Sequence, residues 1–279
     1  MKMLGEVNKM NEFSAGIGLR TQHFPHIENR GRIRVDWFEA ISENFIDTRG
    51  RPFRILEKLR QDFPIALHGV SLNIASSDNL DFQYLEKLKS LYQIIDPFVV
   101  SDHMCWTGFN AHQSHDLLPF PRTKEFLQYI CEKIEKLQEF MGREFAFENL
   151  SAYFDFEEAE FTEAQFINEI CERTGSKMLL DINNVFVNAK NFSTDPMEYF
   201  RQIDFKHVVQ LHIASYSDKG QYLYDTHSGG IYPDLIEIFK KIAPNLKSPK
   251  VLMEWDQDIP GLPEVENEVF KLKSLWERL

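Results

Sequence analysis

Short apolar segments that end in a histidine or a carboxylate recur along this chain, and they constrain its fold more than any other feature. Six segments of this kind end at His68, His103, Glu148, Asp181, His212 and Glu254. One such ending would indicate only a hydrogen-bonded core residue, because a strand covered on both faces is normally apolar throughout. Six endings in register instead favour a site at the C-terminal face of a β/α barrel, where the strand ends converge.

The spacing of the predicted elements supports the same fold. We predict eight strands, at 15–19, 35–41, 64–70, 98–104, 143–149, 177–183, 207–213 and 250–255. Helical periodicity fills the intervals, at 53–63, 81–95, 122–141, 163–175, 195–203, 232–243 and 263–279. This alternation predicts a single (β/α)8 TIM barrel that occupies residues 1–279 as one domain. A doubly wound open sheet is disfavoured, because only a closed ring brings so many strand ends to one point and no GxGxxG follows the first strand.

Charge and composition exclude several classes of function. The net charge is −12, with 43 acidic and 31 basic residues, and an acidic chain is a poor non-specific binder of nucleic acid. No apolar run is long enough to cross a membrane, and the N-terminal 1–16 lack the apolar core of a secretory signal. The cysteines, Cys105, Cys131 and Cys171, form no CxxC pair. We therefore expect a cytoplasmic protein that binds neither nucleic acid nor membrane.

Imidazole and carboxylate ligands at one barrel mouth predict a multinuclear metal site. His68 and His103 come from neighbouring strands and could hold one ion. Glu148 would bridge to a second ion, since bridging carboxylates hold paired metals. The predicted second ion is completed by Asp181, His212 and Glu254, and a third is predicted at Asn184, Asp225 and His227.

Several sequence motifs carry a resemblance that covers almost the whole chain. The strongest are FENLS (147–151) and LLDINNVFVNAKN (179–191), and GIGLR (16–20), HGVSLNIASSDNLD (68–81) and MEWDQDIP (253–260) add to them. In these motifs the chain resembles the multinuclear non-haem iron-dependent oxidative enzymes, whose best-understood member type acts in methanobactin biosynthesis. That family lies within the xylose isomerase-like barrel superfamily, which also contains trinuclear-zinc apurinic endonucleases.

The resemblance implies a cofactor, a substrate and a partner. The implied cofactor is two or three iron ions of mixed valence, with zinc or manganese possible in the purified protein. The implied reaction uses dioxygen to modify cysteine residues of a ribosomally made precursor peptide, which a small partner protein recruits through its leader. The endonuclease pattern has histidine where this chain has Asn184, and asparagine here is similar to the iron family. An amide oxygen is a harder, weaker ligand than imidazole, so the third site is expected to suit iron or to bind its ion less tightly.

Further polar residues near the strand ends are weaker candidates for orienting a substrate, and solvated or ion-paired roles remain open for them. These candidates are Arg20, Glu39, Glu43, Asn44, Asn73 and Arg122. The turn-rich LLPFP segment (117–121) could form a lid. Two other functions also remain open. One is a metal-dependent sugar isomerase or phosphodiesterase of the same superfamily, and the other is a non-catalytic metal-binding or chaperone-like barrel.

Overall fold

A computed structural model of the chain describes residues 13–110 and 112–279. The N-terminal segment used for the secretion prediction lies largely outside these residues. Among the described residues, no helix has the length and apolar character needed to cross a bilayer.

Eight parallel strands close into a barrel, as predicted. The barrel strands are β1 (Ser14–Gly18), β2 (Trp37–Ile41), β3 (Ile65–Gly69), β4 (Val99–His103), β7 (Ala146–Glu148), β8 (Lys177–Asp181), β9 (Val208–Ile213) and β12 (Lys250–Met253). They are hydrogen-bonded in the order β1-β12-β9-β8-β7-β4-β3-β2, and the ring closes between β1 and β2. All eight predicted strands correspond to barrel strands, so the predicted (β/α)8 fold is confirmed.

Helices cover the outside of the barrel. They are α1 (Phe24–Glu28), α2 (Glu43–Ile46), α3 (Arg51–Asp62), α4 (Phe82–Ile95), α5 (Lys124–Met141), α6 (Glu163–Thr174), α7 (Ile182–Asn191), α8 (Pro196–Gln202), α9 (Pro233–Ile242) and α10 (Leu262–Trp276). Side-chain caps fix several of their starts. Thr162 and Gln165 form a reciprocal capping box at α6, and Thr123 accepts the Phe126 amide at α5. The predicted helix at 122–141 therefore begins two residues later than expected.

Helix α7 is the main element that the sequence periodicity did not predict. The predicted strand at 177–183 ends at Asp181, whose side chain accepts the Asn184 amide and caps α7. The chain thus turns from strand to helix without an intervening loop. As a result, the side chain at the end of β8 and the first turn of α7 face the same barrel mouth.

Two hairpins stand outside the barrel and were also not predicted. The first pairs β5 (Trp106–Phe109) with β6 (His112–Leu118), and the second pairs β10 (Tyr216–Asp218) with β11 (Leu223–Asp225). The predicted LLPFP lid consists of the end of β6 and the loop that follows it.

A layer of apolar side chains fills the barrel interior. Its members are Trp37, Ala66, Val99, Ala146, Leu179 and Leu252. Gly16 makes room for the largest of them, because a Cβ at position 16 would lie 2.3 Å from the Trp37 ring. This packed apolar layer lies directly below the polar strand endings at the C-terminal side of the barrel.

Candidate metal centre

The strand pleat explains why polar side chains form the next layer of the barrel. Alternate residues of a strand point to the same face, so the residue two positions after each apolar layer member also points inward. The residues at these positions are Glu39, His68, Ser101, Glu148, Asp181 and Glu254, and all are at most 5% exposed. Parallel registers then align the ligands, with His103 opposite Glu148 and Asp181 opposite His212. The polar strand endings therefore converge, as the sequence predicted.

A first cluster joins two imidazoles to one carboxylate oxygen. His68 Nε2 and His103 Nε2 lie 3.1 and 3.4 Å from Glu148 Oε2. His103 Nδ1 lies 3.1 Å from the Gly69 carbonyl oxygen, to which it donates, and His68 Nδ1 lies 2.8 Å from Ser101 Oγ. Because both Nδ1 atoms are engaged, both Nε2 lone pairs are directed at one point, as a metal-binding histidine pair requires.

A second cluster lies on the other side of the same carboxylate. His212 Nδ1 is 3.3 Å from Glu148 Oε1 and 3.1 Å from Glu254 Oε2. Asp181 belongs to this group, whose ligand atoms all lie within 4.8 Å of one another. The two oxygens of Glu148 therefore face different clusters, which is the geometry of a bridging ligand.

His212 is oriented from behind by a buried carboxylate. Its Nε2 lies 3.2 Å from Glu39 Oε2, and Gln210 donates a hydrogen bond to the same oxygen. Glu39 is fully buried in the barrel. This position suits a carboxylate that sets the tautomer and orientation of a metal-binding histidine better than one that contacts a substrate.

A third group surrounds His227 and includes a residue that the sequence analysis missed. His227 Nε2 lies 2.6 Å from Asp225 Oδ1, and His227 Nδ1 lies 3.3 Å from Glu254 Oε2 and 3.5 Å from Asp256 Oδ2. His227 has a left-handed backbone with φ of 48°, held by a hydrogen bond from its amide to the Ser215 carbonyl. The additional member is Asp256, whose only sequence signal is a second acid two residues after Glu254.

The predicted ligands Asn184 and Asp225 also lie at this mouth. Asp225 Oδ1 accepts from Asn183 at 2.6 Å, and Asp225 Oδ2 accepts from Ser151 at 2.9 Å. Asn184 Nδ2 donates to the Asn149 carbonyl oxygen at 2.9 Å, so the side-chain oxygen of Asn184 points away from Asn149. Both residues line a cavity of about 290 Å³ together with His68, His103, Glu148, His227 and Glu254.

Opposing charges perturb the titration of the central groups. Burial alone would raise the pKa of Glu148, yet the charges of His212 and His103 hold that pKa well below its usual value. Burial and the negative charge of Glu148 raise the pKa of Asp181 well above its usual value. Burial would lower the pKa of His68, but its close contact with Glu148 and the charge of Glu39 raise it to about 9. The buried carboxylates thus attract positive charge, which protons or metal ions can supply in competition.

The donor atoms at this mouth fit metal ions. Buried oxygens of Glu148, Asp181 and Asn184 make no hydrogen bond: Glu148 Oε2, Asp181 Oδ2 and Asn184 Oδ1. Buried polar atoms without a partner are costly, and cations bound at these positions would satisfy them. Imidazole with carboxylate and amide oxygens suits iron, zinc or manganese.

Cys105 is buried, and burial followed by the Asp102 charge raises its pKa well above its usual value, so the residue is a packed neutral thiol.

Two of the predicted substrate residues lie close to the mouth but are already paired. Arg20 forms an ion pair with Asp256, while its Nη1 is buried without a partner. Glu43 Oε1 accepts hydrogen bonds from the Val70 amide at 3.0 Å and the Tyr84 hydroxyl at 2.8 Å. The Glu43 contacts hold the loop after β3 in place.

The structure does not bring Asn44, Asn73 or Arg122 to the cavity of the metal ligands. Asn44 is exposed on α2. Asn73 connects the loop after β3 to the first hairpin, since its Oδ1 accepts from the Thr107 amide and its Nδ2 donates to the Gly108 carbonyl at 3.1 Å. Arg122 pairs with both oxygens of Asp155, at 2.9 and 2.7 Å, and lines a separate cavity between α6, α7 and α8.

Comparisons with known proteins identify relatives of this chain. A family model described as "RiPP precursor modification enzyme MbnB/TglH/ChrH", for ribosomally synthesised and post-translationally modified peptides, matches residues 14–277. A UPF0276 protein of Anaeromyxobacter sp. (strain Fw109-5) is 40% identical over 254 residues, 91% of this chain and 89% of that protein.

Solved structures with a similar fold share little sequence with this chain. Endonuclease IV from Thermus thermophilus has a TM-score of 0.62 and 14% identity, and the match covers 95% of this chain and 100% of that one. A xylose isomerase domain protein from Planctomyces limnophilus has a TM-score of 0.59 and 8% identity, with 96% and 98% covered. These likenesses confirm the predicted xylose isomerase-like barrel.

Proposed function

Since this chain belongs to the MbnB/TglH/ChrH family of RiPP precursor modification enzymes, we propose that it is an iron-dependent enzyme that uses dioxygen to oxidise cysteine residues of a precursor peptide. Family membership makes the chain an enzyme of precursor modification. The observation that carries the finer proposal is Glu148, whose two oxygens face two separate clusters of ligands. A carboxylate in this position suits a multinuclear centre rather than a lone structural ion.

The proposed ligands divide into three sets. His68 and His103 would hold one ion, and Asp181, His212 and Glu254 a second, with Glu148 between them. Asn184, Asp225 and His227 would hold the third, and Asp256 lies near enough to His227 to join them. Two or three iron ions of mixed valence would supply one-electron chemistry and oxygen activation when bound, whereas zinc, which has no redox chemistry, would leave the protein inactive as an oxidase.

The chain's own residues would bind and orient the reacting group. The cavity is lined by His68, His103, Glu148, Glu254 and the third set of ligands. Its volume is about 290 Å³, at the small end of ligand pockets, so it has room for one side chain. The only cysteine near the site, Cys105, is fully buried, and it does not line the cavity. The soft nucleophile must therefore come from the peptide, and a cysteine thiol is the natural choice. Removing two hydrogens from that residue releases two electrons, for which dioxygen is the acceptor.

A small partner protein that recruits the precursor's leader belongs to the same proposal. A cavity that admits one side chain contributes little to recognition of a whole peptide, so most of the affinity has to come from contacts elsewhere. A cytoplasmic location is also proposed, because Cys105, Cys131 and Cys171 are all free thiols. We further propose that the barrel works as one domain.

Mass spectrometry of a precursor peptide tests the proposal. A cognate precursor peptide, incubated with iron-loaded protein, partner and oxygen, should lose about two mass units per two-electron oxidation. A peptide with serine in place of cysteine should keep its mass, and so should the cysteine peptide when oxygen is left out. Glu148→Gln should abolish the mass change, whereas the matched control Glu266→Gln should keep it, because Glu266 is also a buried carboxylate but pairs with Arg34, away from the site. Equal reaction of the serine peptide would refute cysteine oxidation.

A metal-dependent hydrolase or isomerase is the second candidate. The fold likeness to endonuclease IV and to a xylose isomerase domain protein favours it, since those barrels also carry function at the strand ends. Metal analysis of protein purified with and without air separates the candidates. Three zinc ions without a redox signal would favour the hydrolase, and iron with a mixed-valence electron paramagnetic resonance signal would favour the oxidase.

A further inference from the structure

Three tyrosine rings form an exposed cluster at the rim of the cavity of about 290 Å³ that the proposed metal ligands line. Tyr153, Tyr222 and Tyr224 are 42%, 46% and 42% exposed. The Tyr153 and Tyr224 rings are stacked with centroids 5.5 Å apart, and Tyr222 lies edge-on to both. Tyr153 follows β7, whereas the other two belong to the second hairpin. Large exposed aromatic clusters are uncommon on a surface unless something binds there.

This tyrosine cluster is structurally continuous with the proposed metal ligands. Tyr153 and Tyr224 line the same cavity as His103, Glu148 and His227. The Tyr153 hydroxyl accepts the backbone amide of Asp225 at 3.1 Å. A chain that delivers one side chain to the metal ligands can therefore contact these rings.

The charge of the rim indicates which side chain would stack there. Among the described residues that line the cavity, none is a lysine or arginine, and Asp116 lies exposed on the β6 side of it. Asp116 Oδ1 accepts only from the amide of its neighbour Leu117, at 2.8 Å, and no basic side chain of the described chain is within ion-pair distance of it. Aromatic rings and an unpaired carboxylate that line one cavity both attract cations, and arginine in particular stacks on tyrosine.

We propose that Tyr153, Tyr224 and Asp116 form a subsite for an arginine or lysine of the precursor peptide, close in sequence to the residue that enters the metal cavity. This inference rests on the proposed function for the identity of the peptide. It makes the rim a determinant of substrate specificity, separate from the ligands that hold the metals.

A binding selection with iron-loaded protein under anaerobic conditions tests the subsite without turnover. The probe is a pool of short synthetic peptides with one central cysteine and randomised neighbours, and the bound fraction is sequenced by mass spectrometry. Wild-type protein should enrich arginine and lysine within a few residues of the cysteine. Tyr224→Leu and Asp116→Asn should each reduce that enrichment by about two- to fivefold, the range expected of an exposed cation–π contact.

Two variants serve as matched controls. Tyr224→Phe keeps the ring face and should keep the enrichment. Phe154→Leu should also keep it, because Phe154 is 47% exposed beside Tyr153 but packs on Phe156 and does not line the cavity. No basic enrichment by wild type, or enrichment unchanged in both Tyr224→Leu and Asp116→Asn, would overturn the subsite. A parallel pool with serine in place of cysteine separates the two proposals. If it binds equally well with the same basic preference, cysteine recognition fails while the subsite stands.

Discussion

Replacing Asn149 should uncouple the strand that carries Glu148 from the strand that carries Asp181. Asn149 is fully buried, and its side chain accepts the Asp181 amide at 2.8 Å and donates to the Asp181 carbonyl at 3.0 Å. Its own carbonyl accepts from Asn184 at 2.9 Å. The side chain therefore continues the β7–β8 pairing beyond the last residues that pair through their backbones, and it fixes the position of a proposed ligand.

The expected loss of stability follows from those two bonds. Asn149→Ala removes both bonds and leaves the buried Asp181 amide without a partner, so at about 1–3 kcal/mol for each lost bond we expect a loss of about 2–6 kcal/mol. Asn168 offers a matched control, because it makes the same pair of bonds, to the Gln202 carbonyl at 2.8 Å and from the Asp204 amide at 2.9 Å, outside the barrel. Water can replace those partly exposed contacts, so Asn168→Ala should cost about 1 kcal/mol.

Urea unfolding with and without added metal measures both effects. Metal bound only to the folded protein raises the free energy of unfolding by RT ln(1 + [L]/Kd), where [L] is the concentration of free metal and Kd is its dissociation constant. That increment should shrink in Asn149→Ala, where Asp181 is no longer held, and should be unchanged in Asn168→Ala. If the two variants lost equal stability and kept equal metal increments, the assigned role of Asn149 would be wrong.

Two further predictions concern a ligand and a buried lysine. Asn184→His should tighten the third ion and raise the ratio of zinc to iron after loading with an equimolar mixture, measured by mass spectrometry of the metals, because imidazole is the better ligand for zinc. An unchanged ratio would show that Asn184 is not a ligand. Lys133 is 7% exposed and donates to the carbonyls of Ser76 and Asp78, and burial lowers its pKa to about 8. Because the folded protein releases this proton at lower pH than the unfolded chain, wild type should gain about 1–3 kcal/mol relative to Lys133→Met as pH rises from about 8 to 10.5. A difference in unfolding free energy that is independent of pH would refute this.

The barrel and its polar mouth were predictable because both follow from simple periodicities. Apolar runs of strand length mark the ring, and the alternation of the pleat puts Glu148 directly above Ala146 and Asp181 above Leu179. Helix α7 was not predictable in this way. Its sequence, INNVFVNAKN, is rich in asparagine and β-branched residues with modest helix propensity, and its start depends on the Asp181 cap.

Residues whose partners are distant in sequence were the hardest to place. Arg122 follows a turn-rich segment and suggested a substrate contact, but both terminal nitrogens of its guanidinium donate to Asp155. Nothing in the sequence pattern suggested Asp256 as a member of the site. It reaches the site because β12 lies beside β9 and because segment 225–227 folds back over the mouth. Neither pairing has a periodic signal along the chain.

The metal content of Glu148→Gln is the most direct test of whether Glu148 bridges two metal ions. The number of iron ions per chain is measured after anaerobic loading and desalting, for wild type, Glu148→Gln, His68→Ala and the control Glu266→Gln. Because the two Glu148 oxygens face separate clusters, Glu148→Gln should lose more than one equivalent, His68→Ala should mainly empty one site, and Glu266→Gln should keep the wild-type content. Full metal content in Glu148→Gln would contradict a centre bridged by this carboxylate.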